Sequence, residues 1–189
     1  MALTRIGLNQ SINLASNVTG TLPTGNGGTG ATSFAPGKVL QVQSLFTDNQ
    51  QTTTSTSFVD VTGMSQNITP SSSSSKVLVN VCFYAAAIPS SKPFFRLMRD
   101  STNIATISQD SITSTFAVSN PQSPDTDRDG ESFGFTFLDS PSSSSSITYK
   151  LTMATGNSSY TAYFGRRDIN TNTNQGASIT LMEIAGWQM

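Results

Sequence analysis

The chain has 189 residues, enough for one domain with a sizeable core, and its net charge of -1 gives no field that would attract nucleic acid. Charged residues make up 11% of the sequence, against about a quarter in typical globular domains, and 35% of the residues are hydrophobic. The sequence contains no histidine, so it lacks the commonest general base and transition-metal ligand, and we expect it not to be an enzyme.

Residues 1–37 are predicted to form an extended arm. Their apolar residues are spaced irregularly, with neither a helical nor a strand period, so the segment cannot bury enough surface to order alone. It would become ordered against copies of itself or a docking partner, and a flexible tail is the alternative. Met1–Arg5 leads into no apolar run and no segment reaches the length of a membrane span, so we expect synthesis in a cytoplasm without membrane insertion.

A glycine-rich segment lies in the second half of this arm. Gly25, Gly27 and Gly30 have the spacing of a dinucleotide-binding fingerprint, which requires a buried strand before it and a helix after it. The preceding residues are polar and Pro36 would break a following helix, so the context disfavours nucleotide binding. The segment is instead predicted to be an attachment motif, formed by Leu22, Pro23, Asn26, Gly27, Gly28, Thr29 and Gly30.

Residues 38–189 are predicted to form an all-β head domain, because short runs rich in β-branched and aromatic residues alternate with turn-forming residues. No helix is predicted. The pattern favours an antiparallel β-sandwich of jelly-roll type. The predicted strands are 39–46, 56–61, 76–87, 94–99, 104–107, 111–118, 132–138, 147–154, 160–164 and 177–185.

Two serine-rich segments resemble each other, at 68–77 and 139–148. In each, a proline ends one strand and a serine run leads into the next, which predicts exposed turns. The one cysteine, Cys82, lies in an apolar run of the longest predicted strand and is expected to be a small core residue.

An acidic cluster contains Asp125, Asp127 and Asp129, followed by Gly130. This order matches the opening of a calcium loop, in which oxygens at alternate positions converge on the ion. Position twelve of such a loop requires a bidentate Glu, whereas this chain has Thr136. A solvated acidic turn is therefore the alternative to a calcium site, and no other cofactor is expected.

Tyr160, beside the turn-forming residues 156–159, is the candidate for contact with a ligand or host surface. The alternative is an ordinary interior aromatic residue.

Residues 22–32 resemble the Leu-Pro-x-x-Asn-Gly-Gly-Thr-Gly segment found near the N-terminal attachment parts of bacteriophage fibre proteins. Strand phrases at 57–61, 75–79, 95–100 and 178–185 are similar to those of small virion proteins of aquatic phages. The resemblance implies no catalytic motif.

The resemblance implies a homotrimeric short tail fibre or spike that is made in the host cytoplasm and located in the virion. The arm would attach it to other virion proteins of the tail or capsid, and the β head would contact a host surface glycan or protein. A capsid decoration (cement) protein that stabilises the head lattice is the alternative. A polysaccharide depolymerase is disfavoured by the chain length and by the lack of a carboxylate-lined cleft signal.

Overall fold

Thirteen β-strands, arranged in antiparallel sheets, make up the regular structure of the described residues, which contain no helix. The computed structural model describes residues 39–87, 92–109, 111–117, 130–166 and 174–186, all within one compact unit, Gly37–Met189. The predicted arm, its attachment motif and the acidic cluster lie outside the described residues. In the described part, no helix has the length and apolar character needed to cross a membrane.

The strands follow one another along the chain with short connections. They are β1 (Val39–Thr47), β2 (Gln51–Thr53), β3 (Val59–Ile68), β4 (Lys76–Ala87), β5 (Pro93–Arg99), β6 (Thr102–Ile104), β7 (Ile107–Gln109), β8 (Ile112–Ser114), β9 (Phe116–Ala117), β10 (Gly130–Asp139), β11 (Ile147–Thr155), β12 (Ala162–Phe164) and β13 (Ala177–Ile184).

The first sheet is built around β4. The sheet has the order β1-β13-β4-β12-β2, and β10 pairs with the other side of β4 over the residues 77–86. On one side of β4, β13 pairs with its first half and the short strand β12 with its second half. The main part of the sheet is therefore four strands wide, in the order β1-β13-β4-β10. Within the described residues β1 and β10 are the edge strands of this main part, and the short strand β2 ends the sheet beyond β12.

The second sheet has the order β3-β11-β5-β6, with β9 also paired to β5. A separate two-stranded ribbon joins β7 to β8. The inward-facing residues of both sheets form one hydrophobic core cluster, so the two sheets pack face to face.

Phe83, on the inward side of β4, lies at the centre of this core and is 1% exposed. Its ring centroid is 4.8 Å from that of Phe95, 5.4 Å from Phe116, 5.1 Å from Phe133 and 6.0 Å from Phe164. These rings come from five strands and from both sheets, so this cluster joins the two sheets.

The expectation of an all-β, antiparallel fold is confirmed, and most predicted strands match an observed one. The predicted strand 104–107 is wrong: β6 ends at Ile104 because Ala105 adopts a positive φ of 54°, which breaks the extended backbone. The short strand β2 lies in a polar stretch that was not predicted to be a strand.

The serine-rich segments are connections between the sheets, as their turn chemistry predicts. Residues 69–75 lead from β3 to β4, and residues 140–146 lead from β10 to β11. Both lie at the same end of the fold, where the Lys76 Nζ donates a 2.8 Å hydrogen bond to the Ser140 Oγ. We call this end the serine-loop end.

Candidate interaction surface

The outward face of the first sheet is almost free of charge. In β4 the odd-numbered residues from Val77 to Ala85 are buried in the core, so the even-numbered residues face outward, and strand pairing places residues of β13, β1 and β10 beside them. Among the outward positions of these four strands, Lys76 is the one charged residue, and it lies at the serine-loop end. We call this surface the neutral face.

An apolar row crosses the neutral face at right angles to the strands. Leu138 lies opposite Leu78, Leu78 opposite Met182, and Met182 opposite Val42. Val42 is 51% exposed and Leu138 49% exposed, while Leu78 and Met182 are half-buried. Because residues directly opposite on neighbouring strands lie side by side, this row is a continuous apolar stripe from one edge strand to the other.

The next row along the strands is polar, and its members bond to one another. The Ser44 and Thr180 hydroxyl groups are 2.8 Å apart, and the Asn80 Nδ2 donates a 2.8 Å hydrogen bond to the Thr136 Oγ1. Polar groups that already have partners cost less free energy to bury than unpaired ones. This row could therefore be covered by another surface at a modest cost.

The outward face of the second sheet is different, because it carries charges of both signs. The Lys150 Nζ lies 2.8 Å from the Asp60 Oδ2, and the Arg96 guanidinium lies 3.6 Å from the centroid of the Phe58 ring. Exposed charges of this kind interact favourably with water. The two outward faces therefore differ in chemistry, and the neutral face is the one suited to contact with another protein.

Cys82 lies on the neutral face, so the expectation that it is a buried core residue is wrong. It is exposed, and its neighbours across the sheet are Gly134 on β10 and Ser178 on β13. The apolar run of β4 obscured the alternation: Val81 and Phe83 point into the core, so Cys82 between them must point outward.

Glu183 is a buried carboxylate at the serine-loop end. It is the last inward-facing residue of β13, after Ile179 and Leu181. The Ser71 backbone N–H (2.8 Å) and hydroxyl (2.6 Å) donate hydrogen bonds to its Oε1, and the Gln41 Nε2 (2.7 Å) donates to its Oε2. Burial alone would raise the pKa of Glu183, but the hydrogen bonds from Ser71 and Gln41 outweigh it and lower the pKa to about 2. The ionised carboxylate thereby fixes a serine-rich loop to the first sheet.

Asp139 is a second buried carboxylate at the same end. Its two oxygens each lie 2.9 Å from the Arg99 Nη1, and its Oδ2 accepts a 2.6 Å hydrogen bond from the Tyr149 hydroxyl. Burial raises the pKa of Tyr149 above its usual value. The hydrogen bond to Asp139 and the negative charge of Asp139 raise it further. Because Asp139 ends β10 in the first sheet while Arg99 and Tyr149 belong to the second, the cluster joins the two sheets.

Of the site residues predicted from the sequence, Tyr160 lies in the described part of the chain. Tyr160 is half-buried in the turn between β11 and β12, where its backbone N–H donates to the Asn157 carbonyl at 3.0 Å. The calcium-loop candidates Asp125, Asp127 and Asp129 lie outside the described residues. The described part holds no group of three or more His, Cys, Asp or Glu side chains that could bind a metal ion.

The sequence analysis does not predict the neutral face or the two carboxylate clusters. One signal was available for Glu183, because the alternation of Ala177, Ile179 and Leu181 places it on the inward side of its strand. The face had no such signal, because its four strands come from distant parts of the chain.

Comparison of the chain with models of known protein families found no match, and comparison with curated protein sequences found none either.

Proposed function

We propose that this chain is a structural subunit of a bacteriophage virion, a short tail fibre or spike that acts as a homotrimer. Residues 1–37 would attach it to other virion proteins, and residues 38–189 would contact a glycan or protein of the host surface. The neutral face is the observation that carries the proposal, because a broad sheet face with one charged residue is suited to burial against protein.

The strand order supports a jelly-roll topology for the head. If the short strands β6–β9 are counted as one segment and the small β2 and β12 are left aside, eight segments remain, as in a jelly roll. Numbered along the chain, these eight segments are β1, β3, β4, β5, β6–β9, β10, β11 and β13. The first sheet then contains segments one, eight, three and six in that order, and the second contains segments two, seven, four and five. Jelly rolls are common in viral shells, so this topology agrees with a virion role.

A structural rather than catalytic role is supported by the two buried carboxylates. Asp139 is bonded to Arg99 and Tyr149, and Glu183 to Ser71 and Gln41. In both cases the carboxylate oxygens accept hydrogen bonds that fix the fold. This arrangement suits a structural role better than a role as general acid or base.

The proposal is tested by counting this chain in purified virions. Quantitative mass spectrometry against the major capsid protein is expected to find it as a minor component, at the level of other tail proteins. An abundance near that of the capsid protein would instead identify a decoration protein on the head lattice. Absence from washed virions would overturn the proposal. Competition of the purified full chain with phage adsorption tests the host contact separately.

A further inference from the structure

We infer that the neutral face is the surface through which copies of this chain pack against one another. The inference rests on the proposed function, since it names the partner that covers this face in a homotrimeric virion subunit. It assigns the apolar row of Val42, Met182, Leu78 and Leu138 to the contact between neighbouring copies.

The first step concerns where exposed apolar side chains occur. Six large apolar side chains are exposed in the described residues, and all except Ile107 belong to β1 or β10, the outer strands of the neutral face. They are Val39, Leu40, Val42, Phe46, Ile107 and Leu138. Exposed apolar groups concentrated on one sheet indicate a contact surface, whereas scattered ones need no explanation.

The second step concerns charge. A partner with a strongly charged surface would lose the hydration of its charges on binding this face, and among the described positions of the face only Lys76 could form an ion pair with it. A second copy brings the same neutral chemistry and no opposing like charges, apart from Lys76 at the rim. The whole chain has a net charge of -1, so copies also do not repel one another at long range. A copy of this chain is therefore the partner whose charge fits best.

The third step concerns size. Four strands spaced about 4.8 Å apart and eight residues long give a face on the order of 500 Å². Standard interfaces bury about 800 Å² on each partner. The face alone is thus large enough for a modest contact, so association through it is expected to depend on concentration and to be sensitive to single substitutions.

The first experiment compares matched substitutions of exposed apolar residues in the full chain. Leu138→Glu and Val42→Glu place a charge on the neutral face, at side chains that are 49% and 51% exposed. Ile107→Glu is the control, because Ile107 is 47% exposed but lies on β7, outside the face. Circular dichroism verifies that each variant is folded, and light scattering over a range of concentrations gives its molar mass.

We expect the wild type and Ile107→Glu to share one oligomeric mass, and both face variants to dissociate at concentrations at least about tenfold higher than the wild type. If Leu138→Glu and Val42→Glu both keep the wild-type association, the inference is overturned while the proposed virion role stands. A wild type that is monomeric at every concentration also overturns the inference, and the virion count then decides the proposed function on its own.

The second experiment uses Cys82, the one cysteine of the chain, as a reporter on the same face. Maleimide labelling of Cys82 should become slower as the wild-type concentration rises, and should stay fast in Leu138→Glu. Fast labelling within an intact oligomer would overturn the inference, because the face would then be uncovered. Slow labelling of the dissociated Leu138→Glu variant would also overturn it, because something other than a second copy would then cover the thiol.

Discussion

The Tyr149 hydroxyl donates a 2.6 Å hydrogen bond to the Asp139 Oδ2, and this bond joins the two sheets at the serine-loop end. Tyr149 is fully buried and pairs in the second sheet with Arg99, whose guanidinium binds the same carboxylate. The Asp139 carboxylate accepts hydrogen bonds from both donors, so its removal would leave the Arg99 guanidinium without this partner.

Asp139→Asn is therefore expected to lower the free energy of unfolding by about 2–4 kcal/mol, because it removes a charge-assisted pair in a buried setting. The matched control is Asp60→Asn, which removes the exposed partner of Lys150 and should cost about 0.5 kcal/mol or less. Urea denaturation of both variants measures the difference. Equal losses in the two variants would contradict a special role for the Asp139 cluster.

A second prediction concerns the core aromatic cluster. Phe83 contacts four other phenylalanine rings from both sheets, so Phe83→Ala should lower the free energy of unfolding by about 3–5 kcal/mol. Phe58→Ala is the comparison, because Phe58 is half-buried and its main described partner is the Arg96 guanidinium. That change should cost about 1 kcal/mol. Thermal unfolding of both variants would contradict the prediction if their losses were similar.

A third prediction concerns two glycines in different backbone settings. Gly165 has a φ of +72°, and a Cβ there would overlap the Asn49 carbonyl oxygen, so Gly165→Ala should cost about 1–3 kcal/mol. Gly134 has ordinary strand geometry, and no atom lies within 4 Å of the position of an added Cβ. Gly134→Ala should therefore raise the free energy of unfolding by about 0.5–1 kcal/mol. Chemical denaturation gives the sign of the stability change in each variant, and a loss of stability in Gly134→Ala would contradict the open space around this Cβ position.

The strands were predictable because their signals are local. The long strand β4 matches its predicted bounds, and the two serine-rich connections follow from proline and serine turn chemistry. Cys82 was placed wrongly because its apolar neighbours outweighed the period-two alternation of its own strand. Composition indicates which segments are strands, but the direction of each side chain depends on register.

The interaction surface was not predictable, because it depends on which strands become neighbours. Val42 and Met182 are far apart in the sequence, yet they lie opposite each other in the first sheet. The hydrogen bonds from Ser71 to Glu183 likewise join residues from two distant segments. Such contacts arise from the order of strands in the sheet, which a single sequence does not determine.

The last prediction concerns acid, and it follows from Glu183. Its pKa in the folded state is about 2, below the ordinary value of 4.5, so the folded state favours the ionised carboxylate. The stability that this group contributes is therefore fully present above pH 4.5 and is lost as the pH falls toward 2. Unfolding free energies measured from pH 6 down to about pH 2 should decline across this window.

Glu183→Gln removes the titrating group and should make the decline shallower, with a lower stability at neutral pH because the strong hydrogen bonds from Ser71 and Gln41 to an anion are weakened. Asp60→Asn serves as the control, because it also removes one carboxylate, in this case from an exposed ion pair that contributes little to stability. If Glu183→Gln and the wild type lost stability in parallel with falling pH, other carboxylates would have to account for the acid sensitivity. A shallower slope in Glu183→Gln alone would identify the buried glutamate as the group that ties a serine-rich loop to the first sheet.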